Sequence, residues 1–181
     1  MAREQLLAFK RLNLADLCFA RAGGLSQHII ETQPDRLGLL YSPMIAGVVV
    51  TYMKPFVRAD GLGILPQAFS KFTDFVLGET HKHLEEARHN LYAHQDVQNA
   101  SGFVTEDGST PFEMWIRFDG TNRYALRPSV IEIGQDTLHD IVRLCAHQQS
   151  EVNKAIIAAW PALTGGKTYP PGQYQVGVNF P

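Results

Sequence analysis

Arg88, His89, Asn90 and His94 stand in one stretch, residues 81–96, HKHLEEARHNLYAHQD, which holds an arginine, four histidines, two glutamates and an asparagine. As a helix it would make about four and a half turns. Its polar groups alternate with Leu84, Ala87, Leu91, Tyr92 and Ala93, so part of the charge must lie against apolar surface, which costs free energy unless partners are present. An imidazole can move a proton near neutral pH, a guanidinium can hold and neutralise a phosphate, and an amide can orient either. Together they are the parts for cleaving RNA with its own 2′-hydroxyl as nucleophile, His94 transferring the proton and Arg88 stabilising the charge. That chemistry requires no metal.

Spacing constrains how these groups meet. Asn90 and His94 are four apart and share a helix face, whereas Arg88 and His94 are six apart and diverge by about 120° around the axis. A single helix does not aim both at one point. Two copies meeting across a two-fold axis do, because each arginine can reach toward the partner's histidine or a shared ligand. The pattern therefore predicts a homodimer.

Blander readings accompany these residues. An Arg and a His six apart occur by chance in many chains, and the polar helix then serves a non-catalytic helical module that binds RNA or dimerises. His81, Glu85 and His89 follow at one-turn intervals, with His83 beside them, and would suit a small metalloprotein; the usual HExxH pattern is missing. Trp115 and Tyr124 can stack on bases or form a cross-strand packing pair. His139 and His147 fall on the last predicted helix, as surface or satisfied core positions.

The elements that position the central stretch follow from periodicity. A chain of 181 residues with 45% hydrophobic content suits a single domain with one sizeable core. Leu6, Leu7, Phe9, Leu12, Leu14, Ala15, Leu17, Cys18, Phe19 and Ala22 predict a long first helix over 3–22; Gly23-Gly24 either end it or let it resume as far as Pro34. From Ser42-Pro43 a second helix is expected, with Tyr41, Ile45, Val48, Val49, Tyr52, Met53 and Phe56 on one stripe and Pro55 bending or ending it. A buried strand is the competing assignment for that β-branched run. DGLGIL, 60–65, predicts a flexible turn.

A third helix of roughly thirty residues is expected from Gln67 to Asp96, with Phe69, Phe72, Phe75, Val76, His83, Ala87, Asn90, Leu91 and His94 along one drifting face and Gly78 as a local break. Two short strands flank Asp119-Gly120, a hairpin signal within 112–133. Asp136 is expected to cap a last helix with Leu138, Ile141, Val142, Leu144, Cys145, Val152, Ile156, Ile157 and Trp160 inside, and the chain from Pro161 to be irregular.

Charge and cysteine usage bound the partners. A formal charge of -2 and a pI near 6.4 give no global positive field, so a polyanion would be met by a local cluster. Cys18 and Cys145 are too few for a disulfide framework, which predicts a reducing compartment. The opening MAREQLLAFKRLNLADLCFA lacks a signal-peptide core and no run is apolar enough to span a membrane, so a cytoplasmic protein is expected.

RHNLYAHQD, Arg88 to Asp96, resembles the signature of the HEPN superfamily: an Arg, a polar residue and, a few positions later, a His near the end of a long helix in a helical bundle. Its AHQD ending is similar to that of the abortive-infection branch, and YMKPF resembles an aromatic-Pro-Phe segment of the helix packed against the motif. The resemblance implies a metal-independent endoribonuclease that dimerises motif to motif, a toxin or defence component acting on RNA, with an antitoxin protein as a compatible partner and no cofactor. Arg88 and His94 would be catalytic, with His89 after the Arg and Asn90 assisting. His89 stands where Asn or Asp is more usual, and Asp96 replaces the Tyr that some members carry as a modification target. The combined expectation is an all-α bundle of about four long helices in one domain over 1–160, a small β-hairpin inserted at 112–133 before the last helix, and an irregular tail over 161–181.

Overall fold

Leu6, Phe9, Leu12, Ala15, Cys18, Phe19, Ala22 and Ile29 recur at three- or four-residue spacings, gather on one helix face, and are buried. In the computed structural model, which describes residues 3–35, 40–58, 62–89, 115–118, 120, 123–126 and 133–166, they form the inner face of α1, Arg3–Thr32. This helix runs through Gly23-Gly24 without interruption and ends where Gln33 turns to positive φ ahead of Pro34. Gly23 is used for packing: a Cβ there would stand 3.0 Å from the Cβ of Cys145.

Cys145 belongs to α4, Gln135–Thr164. Phe9 meets Trp160 with ring centroids 6.1 Å apart, Asp16 accepts a hydrogen bond from Gln149, and Gly23 meets Cys145. Rising numbers on α1 thus meet falling numbers on α4, so these two helices, each about 45 Å long, pack antiparallel and frame the bundle. The first residues of α4 differ from expectation: Gly134 is the N-cap and Asp136 lies inside the first turn, where its charge suits the helix dipole. At the other end Pro161 does not stop the helix. It falls in the last turn, where few backbone bonds remain to be lost, and Leu163 and Thr164 are buried beyond it before Gly165 closes the helix in a left-handed conformation. The boundary between helix and tail is therefore Thr164 rather than Trp160. Ile157, expected inside, is 72% exposed and Trp160 is half-exposed, because the buried stripe continues through Val152 and Ile156 and leaves Ile157 about 100° off it.

The β-branched run from Tyr41 is a helix, α2, Tyr41–Met53. Tyr41, Ile45, Val48, Val49, Tyr52 and Met53 are buried as its stripe predicts, and a 3₁₀ turn, Lys54–Phe56, follows at Pro55. Ser42 supplies no cap; Leu40 occupies the cap position without a side-chain bond. The Tyr41 hydroxyl instead donates to the Ile133 carbonyl at 3.0 Å, tying the start of α2 to the approach to α4. Leu62 and Leu65, in the segment expected to be a flexible turn, are held: Arg11 Nε donates to the Leu62 carbonyl, and Leu65 is buried with its N–H on the Pro55 carbonyl.

The third helix starts later than expected. Gln67–Ser70 is a separate 3₁₀ turn, and α3, Phe75–Ala87, begins only after Asp74, whose carboxylate accepts from the N–H groups of Val76 and Leu77. That cap outcompetes helix over 71–74. Gly78 lies within α3 and makes no break. Two four-residue segments, β1, Trp115–Phe118, and β2, Arg123–Leu126, run antiparallel with Trp115 opposite Leu126 and Phe118 opposite Arg123; the rest of 112–133, apart from Gly120 and Ile133, lies outside the described residues. Residues of all four helices, with Leu65 and Ile133, share one apolar core. No helix among the described residues is long and apolar enough to cross a membrane.

The two adjacent glycines of α1 should answer oppositely to the same substitution. Gly24→Ala meets nothing within 4 Å among the described residues and should raise stability by about 0.5–1 kcal/mol through helix propensity. Gly23→Ala pushes against a Cβ anchored on α4 and should lower it. Urea denaturation of both variants reads the difference.

Candidate functional site

The motif helix is seated by a stripe different from the one its sequence suggests. Leu77, Thr80, His81 and Leu84 are buried, whereas Phe75 is 79% exposed and Val76 and His83 also face solvent. The Asp74 cap sets the helix start, and Arg143 of α4 pairs with both Asp74 and Asp140 beside that start. Phe69 and Phe72, expected on the helix, sit on the segment before it and pack against the core. On the outer side Lys82 and Glu86 form an exposed pair at 4.0 Å, of the kind that contributes little to stability.

His81 is the polar residue that the alternating pattern requires to be partnered. It is 7% exposed, and its Nδ1 lies 2.8 Å from the hydroxyl of Tyr52, which is fully buried. The rings of Tyr52 and Phe56 meet it edge-on at 5.8 and 4.8 Å, and that of Phe72 lies 5.2 Å away. Burial among these rings lowers the imidazole pKa from 6.5, opposed by the nearby Glu85 carboxylate. Burial also pushes the Tyr52 phenol well above its ordinary value. Interaction with the Gln148 side chain of α4 opposes that rise, and Gln148 Nε2 donates to the Phe69 carbonyl at 2.6 Å. One chain of polar contacts thus joins α3, α2, α4 and the turn ahead of α3. Tyr52 and Gln148 had no place among the candidate residues; the available signal was a glutamine on the apolar stripe Leu144, Cys145, Val152 of the last helix.

Arg88 follows His81 by seven residues, within about 20° of it around the axis, and is half-buried where α3 ends. The backbone widens into a π-type turn at Arg88 and His89, a departure often found at functional sites, and His89 is exposed there. Asn90 and His94 lie outside the described residues, as do the remaining positions of the motif. The structure thus places Arg88 on the inner side and His89 on the outer side of one turn.

His81 is engaged with Tyr52 instead of turning outward with Glu85 and His89, and among the described residues no group of three or more His, Cys, Asp or Glu side chains could hold a metal ion. Cys18 and Cys145 are buried free thiols; burial raises the first and pushes the second up to about 12, so neither carries a reactive thiolate at neutral pH. Comparison of the chain with protein-family models, with curated proteins and with solved structures finds no match.

The burial of His81 makes stability depend on pH. Because folding lowers the imidazole pKa, the unfolded chain binds the proton first on acidification; this contribution is complete above about pH 6.5 and is lost as pH falls toward the folded-state value. Chemical denaturation as a function of pH should show that decline in the native protein and a flatter profile in His81→Gln. Tyr52→Phe, which leaves the ring nitrogen unpaired, should cost roughly 1–3 kcal/mol at neutral pH.

Proposed function

We propose that this chain is a HEPN-type, metal-independent endoribonuclease that works as a homodimer, a toxin or defence component facing RNA and compatible with an antitoxin partner. The observation that carries the proposal is the placement of Arg88, half-buried at the end of the helix that His81 anchors, with the exposed His89 next to it. A guanidinium with one side against protein is held in place yet still reaches a phosphate. In the proposed reaction the RNA 2′-hydroxyl attacks the adjacent phosphorus and the 5′-oxygen leaves, producing a 2′,3′-cyclic phosphate and a 5′-hydroxyl. His94 moves the proton, Arg88 neutralises the charge that builds on the phosphoryl oxygens, and His89 and Asn90 orient them. A second copy of the motif helix supplies the facing groups, since Arg88 and His94 diverge on one helix. The hairpin over 112–133 completes the same domain in this proposal.

A second reading, a non-catalytic helical module for RNA binding or dimerisation, is favoured by one observation: His81, the first histidine of the motif helix, is occupied by a structural bond to Tyr52. Incubation of the purified protein with RNA in EDTA separates the two. The nuclease should cut, leave cyclic-phosphate ends, and lose about a hundredfold or more of its rate in Arg88→Ala and in His94→Ala. Intact RNA from a dimeric, folded protein would leave the binding module.

A further inference from the structure

Ala68, Phe69, Lys71 and Thr73, on the segment that leads into α3, face His147, Glu151, Lys154 and Ala155 of α4 across an open cleft of about 590 Å³. That is within the range of small-molecule clefts, about 300–1,000 Å³, and the proposed nuclease chemistry uses none of it. Its walls are built. Gln148 binds the Phe69 carbonyl at 2.6 Å, and the Phe72 ring stands between His81 and His147, at 5.2 and 5.9 Å from them. The segment is thereby held against the helix from beneath.

The charges of the cleft are unequal. Lys154 is spent on Glu151 at 2.6 Å, and that contact holds the Glu151 carboxylate below its ordinary range. The exposed ammonium of Lys71 makes no ion pair among the described residues. Two ammonium groups against one carboxylate leave a net positive cleft. Lys71, Thr73 and His147 bring three different donors to it, a set that suits the three terminal oxygens of a phosphate monoester. Phe69, Ala68 and Ala155 line the rest with apolar surface. A nucleic-acid strand is poorly served here, because binding a polyanion rests on several phosphate contacts and, among the described residues, only one cation of the cleft is uncommitted.

We propose that this cleft binds a small phosphate monoester with a flat, apolar organic part, the phosphate on Lys71, Thr73 and His147 and the organic part on Phe69 and Ala155. The proposal stands independently of the ribonuclease assignment. Phenyl phosphate is the probe, titrated into isotopically labelled protein and followed by NMR. Expected are saturable shifts at Lys71, Thr73 and His147 with a dissociation constant of about 1 mM or tighter. Lys71→Ala, an exposed position whose loss should leave the fold intact, should weaken binding roughly tenfold, and Ala155→Trp should block it with an unchanged circular-dichroism spectrum. Absence of saturable binding, binding that survives both substitutions, or benzoate binding equally well would overturn the assignment. Displacement of phenyl phosphate by an oligoribonucleotide without terminal phosphates would also overturn it, in favour of a nucleic-acid track.

Discussion

A single polar pair inside an apolar core, the His81 imidazole on the Tyr52 hydroxyl, sets where the motif helix can sit. Apolar contacts tolerate sliding, because burying a methyl group against one neighbour is worth much the same as burying it against the next. A buried hydrogen bond does not, since its loss leaves a desolvated donor or acceptor without a partner. Gln148 and the Phe69 carbonyl extend the requirement to α4 and to the turn before α3. No buried side-chain nitrogen or oxygen among the described residues lacks a partner, so the polar groups taken into this core are accommodated rather than merely tolerated.

Around that pair the bundle divides into a frame and a carried helix. α1 and α4 press together closely enough that a Cβ on Gly23 would stand 3.0 Å from that of Cys145, and Phe9 with Trp160 and Asp16 with Gln149 continue the contact along both helices. Among the described residues α3 has no such long partner. It is fixed at its start by the Asp74 cap and midway by His81. Arg88 comes two turns further on, so its position depends on the polar anchor behind it. Any chemistry proposed for the end of α3 therefore inherits its geometry from residues that never touch a substrate.

Phe72 links the two candidate regions. Its ring touches His81 on one side and His147 on the other, so the wall of the cleft on α4 and the seat of the motif helix share one side chain. The Asp74 cap explains why Phe72 is available for this: by starting α3 at Phe75 it leaves Phe69 in a 3₁₀ turn and Phe72 in the non-helical stretch after it, free to turn inward from positions that a continuous helix would have sent elsewhere.

The sequence by itself determined the helical class, the inner stripe of α2 and most of that of α1, where Leu17 is exposed, because three- and four-residue spacing of large apolar side chains leaves one face to bury. It also determined that a helix so rich in histidine and charge must partner some of it internally, although not which residue. Only the tertiary structure decided that this residue is His81, that α3 turns Leu77, Thr80 and Leu84 inward while Phe75 and Val76 face solvent, that α1 passes through two glycines, and that α4 passes through a proline. Each of these turns on a contact distant in sequence: His81 with Tyr52, Gly23 with Cys145, buried Leu163 and Thr164 beyond Pro161. Local propensity prices a glycine, a proline or a histidine one residue at a time, and such contacts outweigh it by amounts that no window of neighbouring residues contains.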